Sequence, residues 1–232
     1  MVAITPPASS PGFPDDRPQA VLFDCDGVIV DSEGPTFDLL IEDLARHGLS
    51  LTRHQLESDY IGGTIESVAT RARAAGATLP ADWVADLYVR MYDMLAQGTP
   101  LIPGIVQVFD RLDAAGLPYA VGSNGTPHKM QITLGQHGLI PRFRAVLSGQ
   151  EIGRPKPAPD LYLLAALQCA ADPAACVVIE DSPSGAQAAL AAGIPCLGFA
   201  PHGPDAPPAS KMAALGIPLF DSMRDLPARL GL

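Results

Sequence analysis

Short apolar runs that each stop at a polar or turn residue recur along the chain after residue 19. Runs of this length, bounded by turn signals, predict buried β-strands. The runs lie at residues 20–23, 119–121, 145–147, 177–179, 196–199 and 219–220. Several of them end at side chains that can bind ligands, such as Asp24, Ser123 and Glu180.

Stretches with helical spacing of apolar residues separate these runs in the second part of the chain. Pro103-Gly104 opens one such stretch, which Gly116 ends. Three further helices are predicted at residues 129–137, 161–169 and 185–192. Alternating strands and helices predict an α/β fold with a doubly wound, Rossmann-like parallel sheet.

The pattern is different between residues 34 and 100, where helical spacing dominates and no strand is indicated. We therefore expect an all-helical unit inserted into the sheet domain. The expected organisation is a disordered proline-rich tail (1–18), a core made of 19–33 and 101–232, and the helical insert (34–100). Trp83 is expected in the core of the insert, and 203–208 as an exposed loop.

Composition and charge argue against some classes of partner and indicate the cellular compartment. The chain of 232 residues carries 25 acidic and 15 basic side chains, a net charge of −10. An acidic surface repels the phosphate backbone, which argues against a nucleic-acid partner. No run of apolar residues is long enough to cross a membrane. The tail has no apolar signal segment, and the four cysteines lack CxxC spacing, so we expect reduced, buried thiols in a cytoplasmic protein.

Two acidic pairs follow predicted strands. Asp24 and Asp26 leave the first strand, and Glu180 and Asp181 leave the fourth. Either pair alone is explained by a turn or a helix cap. Because ligands of doubly wound sheets bind beyond the carboxyl ends of the strands, two pairs at one edge indicate a cation site. Carboxylate oxygens of this kind suit Mg²⁺.

Two more groups are expected at the same edge. Ser123-Asn124-Gly125 offers a hydroxyl and backbone N–H groups in a turn that can hold a phosphate. Lys156 lies between Pro155 and Pro157, which restrict the backbone around it. A fixed cation beside carboxylates and a phosphate would offset the crowding of negative charge.

The chain resembles the haloacid dehalogenase superfamily of phosphatases and phosphomutases. The stretches DCDGVIVDSE, VGSNG, GRPKPAPDLY and VVIEDSPSGAQAA match its four motifs in order, and the likeness spans roughly residues 19–225. The insert resembles the helical cap of the β-phosphoglucomutase-like branch. SNGTPHKMQ and DCDGVIVDSE look closest to sugar-phosphate phosphatases, including 6-phosphogluconate phosphatase-like proteins.

The resemblance implies a Mg²⁺-dependent reaction through an aspartyl phosphate. Asp24 would be the nucleophile, and Asp26 would be the general acid for the leaving alcohol and then the base for water. Asp24, the backbone carbonyl of Asp26, Glu180 and Asp181 would hold Mg²⁺. Since Asp26 must be protonated at first, we expect its acidic neighbours and partial burial to raise its pKa.

The resemblance also implies the contacts to substrate. Ser123, the N–H of Asn124 and Lys156 would bind the transferring phosphoryl group, and Lys156 would link it to Asp24. The substrate would be a small phosphorylated metabolite, a sugar or sugar-acid phosphate. Separately from the resemblance, we expect a monomer or a dimer.

Other functions remain as alternatives. Dehalogenases lack the second aspartate, whereas Asp26 is present here. Phosphosugar mutases carry a His where this chain has Thr36 and a cap Arg where it has Ile65, so the phosphatase is favoured over the mutase. A phospho-accepting signalling receiver would be about half this length and would lack the insert.

Specificity is expected where the cap closes over the core. The candidates on the cap side are glycines and a threonine in one loop and three arginines on helices: Gly62, Gly63, Thr64, Arg71, Arg73 and Arg90.

Overall fold

The computed structural model describes residues 17–60 and 64–232. Nearly all of the expected tail, and Gly62 and Gly63, lie outside these residues. The strands are β1 (Ala20–Phe23), β2 (Tyr119–Ser123), β3 (Val146–Ser148), β4 (Cys176–Glu180), β5 (Cys196–Phe199) and β6 (Leu219–Phe220). The helices are α1 (Glu33–Arg46), α2 (Arg53–Asp59), α3 (Ile65–Ala74), α4 (Trp83–Ala96), α5 (Ile105–Ala114), α6 (Pro127–Gly135), α7 (Asp160–Gln168), α8 (Pro183–Ala191), α9 (Pro207–Ala214) and α10 (Leu226–Arg229).

The six strands form one parallel sheet in the order β3-β2-β1-β4-β5-β6. The chain proceeds outward from β1 to β3, crosses back, and continues on the other side of β1 with β4. The direction of winding therefore switches between β1 and β4, where doubly wound sheets bind their ligands. Phe23 at the end of β1 lies beside Val121 and Ile179, so residues that follow these strands share one edge.

Alternate residues of β1 face opposite sides of the sheet, and both sides are covered by helices. Val21 and Phe23 belong to the same core as Phe109 of α5. Ala20 and Leu22 pack in a second core, with Tyr162 of α7. Burial on both faces is the reason that β1 is apolar throughout, as expected for a central parallel strand.

Helices α1–α4 form the helical cap, which has an apolar core of its own. Trp83 is 2% exposed, which confirms its predicted place in that core. Its indole N–H donates to Asp43 Oδ2, and Arg90 Nη2 donates to Asp43 Oδ1 at 2.7 Å. A buried carboxylate on α1 thus joins two positions of α4, because both donors bind it.

Two expectations about the rest of the chain can be compared with the structure. The four cysteines are unpaired and buried, as expected. The expectation of a loop at 203–208 is wrong for its last two residues, since α9 begins at Pro207. Proline is favoured in the first turn of a helix because that turn leaves N–H groups unpaired, so these prolines begin a helix. Among the described residues, no helix is long and apolar enough to span a bilayer.

The cap core yields a stability prediction. Asp43→Ala removes the acceptor of the buried Trp83 N–H, and an unsatisfied buried donor costs about 1–3 kcal/mol. We expect the urea unfolding midpoint to fall accordingly. Asp86→Ala is the matched control, because Asp86 also pairs with Arg90 but its side chain is 63% exposed. That pair contributes about 0–1 kcal/mol. Equal losses in the two variants would contradict the role given to Asp43.

Candidate active site

A buried ammonium group lies between two carboxylates at the switch point of the sheet. Lys156 Nζ is 2.5 Å from Asp24 Oδ1 and 2.6 Å from Glu180 Oε1. Asp24 follows β1 and Glu180 ends β4, so the lysine bridges the two strands between which the winding reverses. Burial would lower the pKa of Lys156, but the two carboxylates outweigh it and the pKa is raised. The lysine is therefore charged.

Asn124 holds the backbone of this lysine. The N–H of Lys156 donates to Asn124 Oδ1 at 2.8 Å, and Asn124 Nδ2 donates to the carbonyl oxygen of Lys156 at 3.2 Å. The turn after β2 thereby fixes the loop that carries the lysine. The sequence predicts that the backbone N–H of Asn124 binds the phosphoryl group. In the structure its side chain also fixes the backbone of Lys156.

Glu180 is completely buried and accepts hydrogen bonds on both oxygens. Lys156 and the Tyr162 hydroxyl donate to Oε1, while Ser182 Oγ and two backbone N–H groups donate to Oε2. Gly185 makes room for the carboxylate, since a Cβ at Gly185 would lie 1.6 Å from Glu180 Oε1. The first turn of α8 therefore requires glycine at this position.

Asp26 faces a different set of donors. Its Oδ1 accepts from Ser32 Oγ at 2.5 Å and lies 2.7 Å from Lys129 Nζ. Burial would raise the pKa of Asp26, but the charge of Lys129 and the hydrogen bonds from Lys129 and Ser32 lower it. The expectation of a raised pKa for Asp26 is therefore wrong, because the charge of Lys129 and the hydrogen bonds from Lys129 and Ser32 outweigh burial.

Ser123 ends β2 and is 1% exposed. Its Oγ accepts from the N–H of Gly125 at 2.9 Å and lies 3.4 Å from Asp26 Oδ2. The turn thus brings a hydroxyl next to the second aspartate. Ser123 and Asn124 both line the cavity that contains Asp24 and Lys156.

Asp24, Glu180 and Asp181 present carboxylate oxygens that lie within 4.8 Å of one another. Burial, opposed by Lys156, raises the pKa of Asp24 to about 7. Burial and the charges of Glu33 and Asp24 raise that of Asp181 well above its ordinary value. Burial is the main cause of both raised values, and the neighbouring carboxylates add to it. Hard oxygen donors with excess negative charge fit Mg²⁺. The Asp26 side chain is engaged with Lys129 and Ser32, outside this group.

Residues of the cap line the cavity above this group. Thr64, a predicted specificity residue, lines it, as do Ile65 and Tyr88. The three predicted arginines are absent from the lining formed by the described residues. Arg90 binds Asp43 and Asp86, Arg71 donates to the carbonyl oxygens of Asp59 and Tyr60, and Arg73 donates to that of Pro80.

Sequence reasoning missed four residues of the site: Ser32, Glu33, Lys129 and Tyr162. None of them directly follows a predicted strand, and that position was the sequence feature that indicated the other site residues. Lys129 could have been found from its spacing, because Thr126-Pro127 is a helix-start signal after β2 and places Lys129 in the first turn. Burial and the charge of Asp26 raise the pKa of Glu33 to about 7.

A doubly wound sheet whose switch point carries this acidic cluster and lysine, beneath an inserted helical cap, is the architecture of the haloacid dehalogenase-like hydrolases. The family model described as haloacid dehalogenase-like hydrolase matches residues 18–193. The chain belongs to this family.

Individual relatives agree with the assignment. Hexitol phosphatase A of Escherichia coli (strain K12) is 32% identical over 183 residues, covering 76% of this chain and 81% of that protein. A HAD family hydrolase from Deinococcus radiodurans R1, whose crystal structure contains phosphate and sodium, is 32% identical with a TM-score of 0.73. That match covers 93% of this chain and 99% of that one.

A single-residue mutant of CbbY from Rhodobacter sphaeroides, crystallised with xylulose-(1,5)bisphosphate, is 25% identical with a TM-score of 0.75. The match covers 93% of this chain and 100% of that one. The similarity to these structures extends over the cap as well as the core, because nearly the whole chain is covered.

The acidic cluster predicts stabilisation by Mg²⁺ that depends on pH. At pH 5.5 protons occupy Asp24, whose pKa is about 7, whereas at pH 8 it is ionised and free to bind. Mg²⁺ at a hundred times its Kd would add about 2.7 kcal/mol, or several degrees in Tm. We expect the rise in Tm to be larger at pH 8 than at pH 5.5.

The control for this experiment is a pair of variants. Asp181→Asn should abolish the Mg²⁺-dependent rise in Tm, while Asp205→Asn, in an exposed turn, should keep it. A rise that survives in Asp181→Asn would exclude this cluster as the binding site.

Proposed function

We propose that the protein is a Mg²⁺-dependent phosphatase that hydrolyses small phosphorylated metabolites through a phosphorylated Asp24. The observation that carries the proposal is the Asp24–Lys156 pair, which faces the same cavity as the Ser123 hydroxyl. Hydrolysis of phosphoric monoesters is supported by the family and by relatives named as phosphatases.

A phosphate bound at this edge would lie among Asp24, Ser123 and Lys156. Asp24 Oδ2 is not the oxygen that Lys156 holds, so it is the oxygen available for attack on phosphorus. The ammonium of Lys156 and the Ser123 hydroxyl would stabilise charge on the phosphoryl oxygens as the bond to the alcohol breaks. Water would then cleave the acyl phosphate and restore Asp24.

Asp24, Asp181, Glu180 and the backbone carbonyl of Asp26 would hold Mg²⁺, which would supply positive charge and so reduce repulsion between the carboxylate and the phosphate dianion. The free oxygens belong mainly to Asp24 and Asp181, since Glu180 already accepts five hydrogen bonds. Glu180 would therefore contribute chiefly by its charge and by fixing Lys156.

Asp26 would donate a proton to the leaving alcohol and later take one from water. The pKa of Asp26 is lowered by Lys129 and Ser32. A phosphate dianion bound nearby adds negative charge, which favours the protonated carboxyl group. The proton would thus be acquired together with the substrate.

The alternative, a phosphosugar mutase, has less support in the cap. Thr36 is buried and its hydroxyl donates to the carbonyl oxygen of Ser32, while Ile65 presents an apolar side chain to the cavity. Neither can replace the basic residues that mutases carry there. A cytoplasmic location is supported by the four unpaired cysteines.

The activity is tested by phosphate release from a panel of sugar, sugar-acid and polyol phosphates, with Mg²⁺ and with EDTA. We expect release that requires Mg²⁺ and falls at least about 1,000-fold in Asp24→Asn, because the nucleophile is lost. Asp205→Asn serves as the control. Undiminished turnover in Asp24→Asn would refute the nucleophile, and isomerisation of a sugar phosphate without release would identify the mutase.

Lys129 yields a separate prediction as a positioning residue for Asp26. Lys129→Met keeps the length of the side chain but removes the 2.7 Å contact to Asp26. Since a catalytic group displaced by about 1 Å can cost 100-fold, we expect kcat to fall by about 10- to 100-fold with a smaller change in KM. Lys211→Met, at an exposed position of α9, is the control. An effect on KM alone would contradict the positioning role.

A further inference from the structure

The cavity between the cap and the core contains only two cations among the described residues, and both are already paired. Lys156 binds Asp24 and Glu180, and Lys129 binds Asp26. Every lysine, arginine and histidine of the chain lies within the part that the structure describes. The lining formed by that part therefore has no further basic side chain to offer a ligand.

The lining also contains more negative than positive groups. Four carboxyl groups line the cavity against two ammonium groups, the acidic ones being Asp24, Asp26, Glu33 and Asp181. Glu33 has no partner of opposite charge among the ion pairs of the described residues. Bound Mg²⁺ would keep Asp24 and Asp181 ionised and would largely offset the charge of a transferring phosphate, so a surplus of negative charge remains. A second anionic group on the ligand would meet repulsion in a partly desolvated site.

The wall provided by the cap is mostly apolar. Phe37 and Leu40 of α1, Val68 of α3 and Met91 of α4 line the cavity and are at most 7% exposed. Such side chains can contact the C–H groups of a carbon chain, but they cannot solvate a carboxylate or a phosphate. Ile65, at the start of α3, extends this wall.

Two polar side chains of the cavity wall, one from the cap and one from the core, are uncharged. Tyr88 of α4 and Gln150 of the core line it, and Gln150 Nε2 donates to the Tyr88 hydroxyl at 3.0 Å and to the carbonyl oxygen of Asn124 at 2.9 Å. Burial raises the pKa of Tyr88 to about 12, so its hydroxyl remains protonated. A phenol and an amide in contact can donate to and accept from substrate hydroxyls without contributing charge.

We infer that the substrate is the phosphate monoester of an uncharged hydroxylated compound, such as a polyol or a neutral sugar, with no second anionic group. Tyr88 and Gln150 recognise its hydroxyls, and the apolar wall contacts its carbon chain. This inference rests on the proposed phosphatase function and narrows it. Sugar-acid phosphates and bisphosphates are excluded as preferred substrates because a carboxylate or a second phosphate would have no free cation to bind.

The test compares two substrates that differ only at the far end of the carbon chain. Glucitol 6-phosphate carries a hydroxymethyl group where 6-phosphogluconate carries a carboxylate. We expect kcat/KM to be about tenfold or more higher for glucitol 6-phosphate, since one unfavourable charge contact costs about that factor. Equal values, or a preference for 6-phosphogluconate, would overturn the inference. Fructose 6-phosphate and fructose 1,6-bisphosphate provide a second pair with the same expectation.

Variants that change the charge of the cavity wall also test the preference for substrates without a second anionic group. Ile65→Lys places an ammonium group on the cavity wall and should raise kcat/KM for 6-phosphogluconate relative to glucitol 6-phosphate by about tenfold. Val89→Lys is the matched control, because Val89 lies on α4 and is 57% exposed. An identical change in both variants would refute an effect at the cavity.

The proposed function and this inference fail in different ways. If p-nitrophenyl phosphate and the whole panel release no phosphate with Mg²⁺, the phosphatase itself is refuted, and the substrate inference with it. If p-nitrophenyl phosphate and 6-phosphogluconate are hydrolysed and glucitol 6-phosphate is not, the phosphatase stands and only the inference is overturned.

Discussion

The site depends on one interaction, the burial of the Lys156 ammonium between Asp24 and Glu180. A buried ammonium costs several kcal/mol unless its charge is matched and its protons are bonded, so the lysine can lie there only with both carboxylates in place. The reverse also holds, because two carboxylates at adjacent strand ends would repel each other without it. The end of β1, the loop that carries Lys156 and the end of β4 are therefore held together by these three charged side chains.

The surrounding residues maintain this geometry. Asn124 fixes the backbone at Lys156, Tyr162 donates to Glu180, and Gly185 leaves the space that the carboxylate occupies. These contacts come from β2, α7 and α8, on both sides of the switch point. Asp24 is thus held, through Lys156, by contacts from several elements of the core. The cap contributes the apolar wall of the cavity, while the core supplies Asp24, Lys156 and Glu180.

Much of this site could be predicted from the sequence, because parallel strands place their carboxyl ends along one edge. That rule alone predicts that Asp24, Ser123 and Glu180 lie close together. It fails for groups on helices: Lys129 reaches Asp26 from the first turn of α6, and its charge reverses the expected shift in pKa. It also fails for Arg90, which pairs with the buried Asp43 instead of lining the cavity. The direction of a cap arginine depends on packing between helices, and the periodicity of the sequence does not encode that packing.

The four buried cysteines have a practical consequence. Burial raises the pKa of Cys169 to about 11 and that of Cys176 to about 12, and it raises the pKa of Cys25 and Cys196 as well. Thiols that are protonated and inaccessible react slowly with maleimides and iodoacetamides. A cysteine introduced on the surface, for example by Val89→Cys, would therefore be the single fast-reacting thiol. Fluorophores or spin labels could be attached to the cap without first removing the native cysteines.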